Sequence, residues 1–528
     1  MATPGSPSDP DLPPPRSSAG PGPVLLVFLV LSLLTQLPYL WAALDPPPGR
    51  VFVGTFHWID DVYNYVSFVQ QAEAGHFLFT NKLVLAPHGP ALVNLEWWSV
   101  GRLAALLGDR PFLAYRVLAL AATLALLFAI DRWAASCGLP RSHRLPALVL
   151  VSVGGGLGGW IFEFTDLPVT RSLDYLQAFH PFVEILSNPH FVTGTALLAW
   201  GLWLLAAAPT PAAGAGPAFV LGSVLGLTRP YDLVTLASSR CLAILQERGL
   251  RQAPRWLLAS LGPLAPVCVY NAWVFYFHPG FRFYARIPYT FPPLVDLVPA
   301  LGPAGALALL CLANPARSET ARRFRSHLLA WVAFALLVIL LRPVHFAAQH
   351  LVGLGLPLLL LGALGLSRWR PAVTWLAAAL LSFTSVVALK IVWGADSAWF
   401  VPRERMQAAL AIRDSCTERG LVLAPPDVGL YAMGLTSCRA VIAHPVSPGF
   451  SERLREARGF YGPWPPGQRR AWLDQLCVTH VVLPADAGPA AAAWLGDGAP
   501  YRRLALVGSG PRTLSVYARD DPGSCQAP

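Results

Sequence analysis

The sequence predicts a multi-span α-helical membrane protein, with about eleven transmembrane helices and a small C-terminal α/β domain on the outer face. Three observations carry this expectation. Of 528 residues, 54% are hydrophobic and 13% charged, with a mean hydropathy of +0.49. Soluble domains carry about twice that share of charge. Apolar segments long enough to cross a bilayer recur from residue 24 to residue 393,. Beyond residue 395 the pattern changes to short apolar runs separated by Gly, Pro and charged residues.

Residues 1–23 are rich in Pro, Gly and Ser and are expected to form a disordered tail,. The first apolar segment, 24–44, has no convincing small-residue cleavage site, so it reads as a retained span. The others fall at 112–131, 145–163, 190–208, 216–229, 231–246, 256–276, 292–313, 328–341, 346–366 and 371–393. Residues 24–394 then form a transmembrane domain with a long outer loop at 45–111, and 395–528 form an extracytoplasmic domain. Arg in short loops sets the orientation. Arg132, Arg141 and Arg144, then Arg248, Arg251 and Arg255, then Arg317, Arg322, Arg323 and Arg325, then Arg368 and Arg370, all fall on one side. That side reads as cytoplasmic, with the N-terminus, in a cytoplasmic (inner) membrane. The net charge of +10 is accounted for by these loops, and no nucleic-acid partner is expected.

The segments 216–229 and 231–246 would be only about 20–24 Å long, against a hydrocarbon core of about 30 Å. They meet at Thr228-Arg229-Pro230-Tyr231-Asp232, a polar turn that needs a wet or protein-lined cavity,. In the outer loop, Val62, Tyr65, Val66, Val69 and Ala72 recur at helical spacing, with Asn64, Ser67 and Gln71 as a polar stripe,. This predicts a helix lying on the membrane surface and ending near Gly75. A second stretch, 91–107, carries Trp97 and Trp98 at headgroup level,. In the C-terminal part, a helix is expected over 403–416, buried strands at 420–424 and 477–484, and a hairpin from 504–507 to 513–518,. Of eight Cys, Cys416, Cys438, Cys477 and Cys525 lie where an oxidising compartment permits disulfides,.

Acids are costly near hydrocarbon and tend to face a cavity or substrate. Asp60 and Asp61 therefore stand out at the head of the first-loop helix. The predicted topology gathers further polar residues on the same face: Tyr65, His190, Arg229, Asp232, His278, Arg282, Arg286, Arg342 and His345. A carboxylate suits a general base acting on a hydroxyl or amine. Arg suits a phosphate or pyrophosphate, which it binds through paired hydrogen bonds. Together they fit a phosphate-linked lipid whose phosphate leaves during reaction. Asp60 could instead cap the helix, and Arg342 could snorkel. No P-loop, dinucleotide fingerprint or H-E-x-x-H occurs,. Gly154-Gly155-Gly156-Leu157-Gly158-Gly159 lies within the third span and reads as close helix packing,. No ligand set supports a metal, and no cofactor is expected.

Asp60-Asp61-Val62-Tyr63-Asn64-Tyr65-Val66-Ser67-Phe68-Val69-Gln70-Gln71-Ala72, followed by Gly75, is similar to the first-loop motif of uncharacterised bacterial GT-C-like proteins. Asn188-Pro189-His190-Phe191, Arg229-Pro230-Tyr231 and Ala443-His444-Pro445 resemble further segments of that group. The architecture resembles the GT-C class of integral-membrane glycosyltransferases, which includes protein O-mannosyltransferases, oligosaccharyltransferases and the aminoarabinose transferase. The resemblance implies a polyprenyl-phosphate-sugar donor, and a first-loop Asp that acts as the base or binds the acceptor. Either Asp60 or Asp61 fits that role. The acceptor could be a lipid, a glycan or a protein, and membrane lipids surround the chain. A transporter or lipid flippase is the rival reading, but no internal repeat is visible. A non-catalytic assembly protein is the second rival.

Overall fold

A computed structural model describes residues 21–165, 174, 179–287, 291–342, 346–394, 397–487, 495 and 500–520. The first part of the chain runs α1 (Gly22–Leu44), β1 (Arg50–Phe52), α2 (Ile59–Glu73), α3 (Leu95–Leu106), α4 (Pro111–Ser136), α5 (Arg141–Val153), α6 (Gly158–Phe164) and α7 (Pro181–Ser187). It continues through α8 (Pro189–Ala207), α9 (Pro211–Thr228), α10 (Pro230–Leu261), α11 (Ala265–Ala272), α12 (Leu294–Leu309), α13 (Glu319–Leu341), α14 (Gly355–Leu366), α15 (Pro371–Leu381) and α16 (Phe383–Trp393). Proline opens α4, α8, α9, α10 and α15. At a first helical position its missing N–H costs nothing and its fixed φ suits the helix, so these prolines punctuate the bundle.

Among the described residues, nine segments are long and apolar enough to cross a membrane. One of them, Pro230–Phe277, is 48 residues long. It is broken at Gly249, whose φ of 64° lies in the left-handed region that only glycine adopts freely,. The two limbs fold back on each other, since Arg240 Nε donates to Ser260 Oγ at 3.4 Å. The third expected span is also broken: α5 and α6 form a pair bent by 56°. With the bent pair taken as one span, the described residues hold ten such segments, against the expected eleven or so. The bundle is thus a multi-pass membrane architecture. Its central segment, Ala347–Leu366, is almost wholly enclosed, whereas Leu25, Leu26, Leu29 and Leu33 on α1 are exposed, as a lipid-facing stripe requires,.

One expectation is corrected here. The segments expected at 216–229 and 231–246 are not unusually short, because α9 begins at Pro211 and α10 runs past residue 246. The glycine-rich run 154–159 packs closely against neighbouring helices, as expected: a Cβ at Gly156 would fall 2.3 Å from Ala300 O and one at Gly159 2.5 Å from Thr384 Cα, although the helix itself is interrupted there. Gly154 ends α5, and the backbone N–H groups of Gly156 and Gly158 donate to the Asp174 carboxylate at 3.2 and 3.1 Å.

The C-terminal part contains β2 (Phe400–Pro402), α17 (Arg403–Leu410), β3 (Leu421–Leu423), α18 (Pro426–Leu435), β4 (Arg439–Ala440), α19 (Phe450–Tyr461), α20 (Pro466–Leu476), β5 (His480–Pro484), β6 (Tyr501–Val507) and β7 (Leu514–Arg519). Five strands form one sheet in the order β4-β3-β5-β7-β6. β3 pairs parallel with β4 and β5, and β7 pairs antiparallel with β5 and β6. Alternate side chains face opposite layers, the period-two rule of a strand. Val422, Val482 and Val516 pack with Ala408, Val428 and Met433 of α17 and α18, while Leu421, Val481 and Tyr517 pack with Ala457, Phe460 and Trp472 of α19 and α20. A Cys416–Cys438 disulfide ties the segments preceding β3 and β4. Cys477 is free, and Cys525 lies outside the described residues.

The expected first-loop helix exists as α2, but it does not lie bare on a surface. It is clasped between α3 and α18. A Cβ at Gly101 of α3 would fall 2.5 Å from Val69 O, so only glycine lets the two helices approach this closely. The polar stripe is consequently buried and internally bonded. Asn64 Nδ2 donates to the Tyr284 hydroxyl at 3.2 Å, Ser67 to Asn64 O at 2.6 Å, and Gln71 to Thr80 O at 3.1 Å. The stretch at 91–107 forms α3, which at 12 residues is about 18 Å long and too short to span,. A ribbon pairing β1 with β2 joins the first loop to the start of the C-terminal part.

Candidate active site

The chain enters α2 through a sharp turn. Trp58, half exposed, adopts the left-handed conformation with φ 43° and stands at the cap position, where it makes no side-chain cap. A bulky residue in that region is strained. Ile59, Asp60 and Asp61 follow as the first helical residues. The two aspartates lie inside the first turn, where the helix dipole favours negative charge.

Asp61 has a partner that arrives from the far end of the chain. His444 Nε2 lies 3.1 Å from Asp61 Oδ1. The His444 side chain is 6% exposed and that of Asp61 47%. The Val446 N–H donates to His444 Nδ1 at 3.1 Å, so the ring presents its proton on Nε2, toward Asp61,. Asp60 is exposed on its outer side, yet the surrounding protein desolvates its carboxyl and raises its pKa. His444 opposes this rise and Asp61 adds to it.

Below the aspartates, Tyr65 stacks on Trp97 with centroids 4.6 Å apart and planes 13° apart, and meets His190 edge-on at 4.9 Å. His190 Nδ1 is 2.9 Å from the Tyr115 hydroxyl, which also accepts the His190 backbone N–H at 3.2 Å. Tyr65 lies within electrostatic reach of Asp61, Tyr284 and Tyr231. A string of side chains therefore leads from the exposed acids into the bundle.

The string ends on a buried polar cluster. Arg229 Nη1 pairs with Asp232 Oδ2 at 3.2 Å, and both side chains are under a tenth exposed. Arg229 Nη2 donates to Gln349 Oε1 at 2.9 Å, and the guanidinium lies 4.4 Å over the Phe191 ring. Glu96 on α3 accepts from Thr193 Oγ1 at 2.9 Å. Burial raises the Glu96 pKa to about 8, opposed by the Thr193 hydrogen bond and by Arg229. The polar turn expected at residues 228–232 is thus lined by protein.

The remaining sequence candidates lie apart from this string. His278 packs edge-on against Trp273 at 5.4 Å and against His88 at 6.2 Å, and its Nδ1 accepts the Gly280 N–H at 3.2 Å. Arg282 and Arg286 are exposed on the turn that follows. Arg342 ends α13 in the left-handed conformation, φ 48°, exposed, with its guanidinium 4.9 Å from the Phe291 centroid. His345 lies outside the described residues. Arg229 is already committed to Asp232 and Gln349, whereas Arg282, Arg286 and Arg342 are open to solvent.

Sequence reasoning did not assign a role to Glu96, Thr193, Gln349 or His444. Glu96 offered a sign, an acid beside Trp97 and Trp98 in an apolar run. For metal binding, one cluster stands out among the described residues: Cys416, Cys438 and His480. Both sulfurs are in the disulfide, which leaves a single nitrogen ligand there.

The chain superposes on the arabinofuranosyltransferase AftD from Mycobacteria with a TM-score of 0.60 at 17% identity, covering 96% of this chain and 40% of that one. The fold is GT-C-like. A second match is ArnT from Cupriavidus metallidurans bound to undecaprenyl phosphate, with a TM-score of 0.55 at 13% identity, covering 94% of this chain and 98% of that one. This chain thus spans about two fifths of AftD and nearly the whole of ArnT. No protein-family model and no curated protein matches the sequence.

Proposed function

We propose that this protein transfers a sugar from a polyprenyl-phosphate carrier to an acceptor at a membrane surface. The observation that carries the reading is the Asp61–His444 contact, placed at the head of α2 above a buried acid–arginine cluster in a GT-C-like fold. In the proposed step an acceptor hydroxyl gives its proton to an aspartate and its oxygen attacks the anomeric carbon. The bond from that carbon to the phosphate oxygen breaks, and polyprenyl phosphate leaves with the electron pair. Asp60 and Asp61 are the base candidates. Arg342, Arg282 and Arg286 are exposed and free to meet the phosphate, where paired N–H donors offset the charge that develops. Tyr65 and His190 lie between the aspartates and the buried Arg229–Asp232 pair. The ArnT match, a structure bound to undecaprenyl phosphate, supports a polyprenyl-phosphate partner. The proposed setting is the cytoplasmic membrane, with the N-terminus cytoplasmic and the C-terminal α/β part on the opposite face.

The test uses the full chain in proteoliposomes, supplied with polyprenyl-phosphate sugars and membrane-lipid or glycan acceptors. Release of polyprenyl phosphate that depends on an intact Asp60-Asp61 pair is the expected result. Sugar-independent movement of the lipid across the bilayer would replace this reading with a flippase.

A further inference from the structure

The Asp61–His444 contact assigns work to a part of the chain that carries none of the base candidates. His444 follows β4 in a tight turn whose ends are fixed. Its carbonyl accepts the Ser447 N–H at 2.9 Å, and its Nδ1 accepts the Val446 N–H at 3.1 Å. Ring position and proton placement are therefore set by the turn itself, before Asp61 is considered. The side chain is buried against α2, and only Nε2 reaches an acid. Asp61, by contrast, is half exposed on a first helical turn, where a carboxylate would exchange between rotamers,.

We infer that His444 is a positioning residue: its Nε2–H holds Asp61 Oδ1, fixes the rotamer of that carboxylate, and leaves its second oxygen for the acceptor hydroxyl. This inference rests on the glycosyl-transfer reading above. In the transfer step the proton passes from acceptor to aspartate, and His444 keeps its own proton throughout. The C-terminal α/β part thereby completes the site. A base displaced by about 1 Å loses roughly a hundredfold in rate, so holding one rotamer has a measurable effect.

The experiment compares His444→Ala, His444→Gln and His444→Asn in the full-length protein. The Gln amide nitrogen reaches the place of Nε2, while the Asn amide reaches only the place of Nδ1 and stops short of Asp61. Transfer from a polyprenyl-phosphate sugar is followed with donor concentration varied, and Tm confirms folding. The expected result is a kcat lowered about a hundredfold in the Ala variant with donor KM nearly unchanged, as loss of orientation predicts. Gln restores most of the rate and Asn does not. Equal recovery by Gln and Asn, or an unchanged kcat in the Ala variant, overturns the inference and leaves transfer intact. Absence of transfer by the unaltered protein sinks the function reading and this inference together.

Discussion

Gly434 of α18 lies against the ring of Tyr63 on α2 with no room for a side chain. A Cβ there would fall 2.8 Å from Tyr63 Cδ1 and 2.9 Å from Tyr63 O. This contact sets how closely the C-terminal part sits over α2, and so where His444 meets Asp61. Gly434→Val should lower stability by about 1–3 kcal/mol, the usual size of an overpacking penalty. Transfer should fall further than stability alone explains. A Val variant with unaltered Tm and rate would show that the two parts do not depend on close docking.

The aspartates separate by conservative substitution. Asp→Asn keeps size and removes the basic carboxylate. One of Asp60→Asn and Asp61→Asn should insert normally and lose roughly two to four orders of magnitude of transfer, the scale of an acid–base contribution. The His444 contact favours Asp61 as the intolerant position. Full transfer by the doubly substituted protein would remove both from catalysis.

The arginines should divide into two classes. Arg342→Lys and Arg282→Lys remove paired hydrogen bonding without removing charge, and should slow turnover by the equivalent of about 2–4 kcal/mol if they meet the phosphate. Arg229→Leu strands the buried Asp232 carboxylate and should cost about 3–5 kcal/mol of stability. Adding Asp232→Leu to it should recover much of that loss. Thermal unfolding in detergent distinguishes the two classes, because the exposed arginines should leave Tm unchanged.

Glu96 predicts a pH dependence with a definite sign. Its folded pKa, about 8, lies above the ordinary carboxylate value of 4.5. The folded state therefore holds a proton that the unfolded state releases, and stability falls as pH rises from about 4.5 through about 8. Glu96→Gln mimics the protonated form and lacks this loss. Its Tm should match the parent near pH 4.5 and exceed it increasingly toward pH 8.5. Parallel Tm profiles for the two proteins would show that Glu96 is ionised in the folded state.

Orientation is tested by reporter fusions. Fusions after residues 140 and 320 should read cytoplasmic and one at 450 should read external, following the Arg-rich loops. A cytoplasmic reading at 450 would separate Asp61 from any donor on the opposite face.

The bundle was legible because its cause is local. Apolar length and loop Arg are written along the chain, and proline marks helix starts that composition alone placed several residues late, as at Pro211. Asp60 and Asp61 were legible because two adjacent acids stand out against an apolar background. His444 was not, since one histidine in a soluble segment has many structural uses and only tertiary contact with Asp61 singles it out. The burial of Asn64, Ser67 and Gln71 was hidden for the same reason. A polar stripe on an isolated helix faces water, and the sequence does not show that α18 and Tyr284 cover it. The Arg229 commitment to Gln349 likewise joins residues 120 positions apart.

The ribbon of β1 and β2 and the Asp61–His444 pair both join the opening of the chain to its final quarter; the latter spans 383 positions. Synthesis proceeds from the N-terminus, and early segments fold first. The aspartates are thus made and delivered to the membrane while their partner has yet to be translated. A truncated or stalled product would carry every membrane helix and still lack an aligned carboxylate. If His444 aligns Asp61 as inferred above, such a copy is a poor catalyst until residue 444 has emerged and docked.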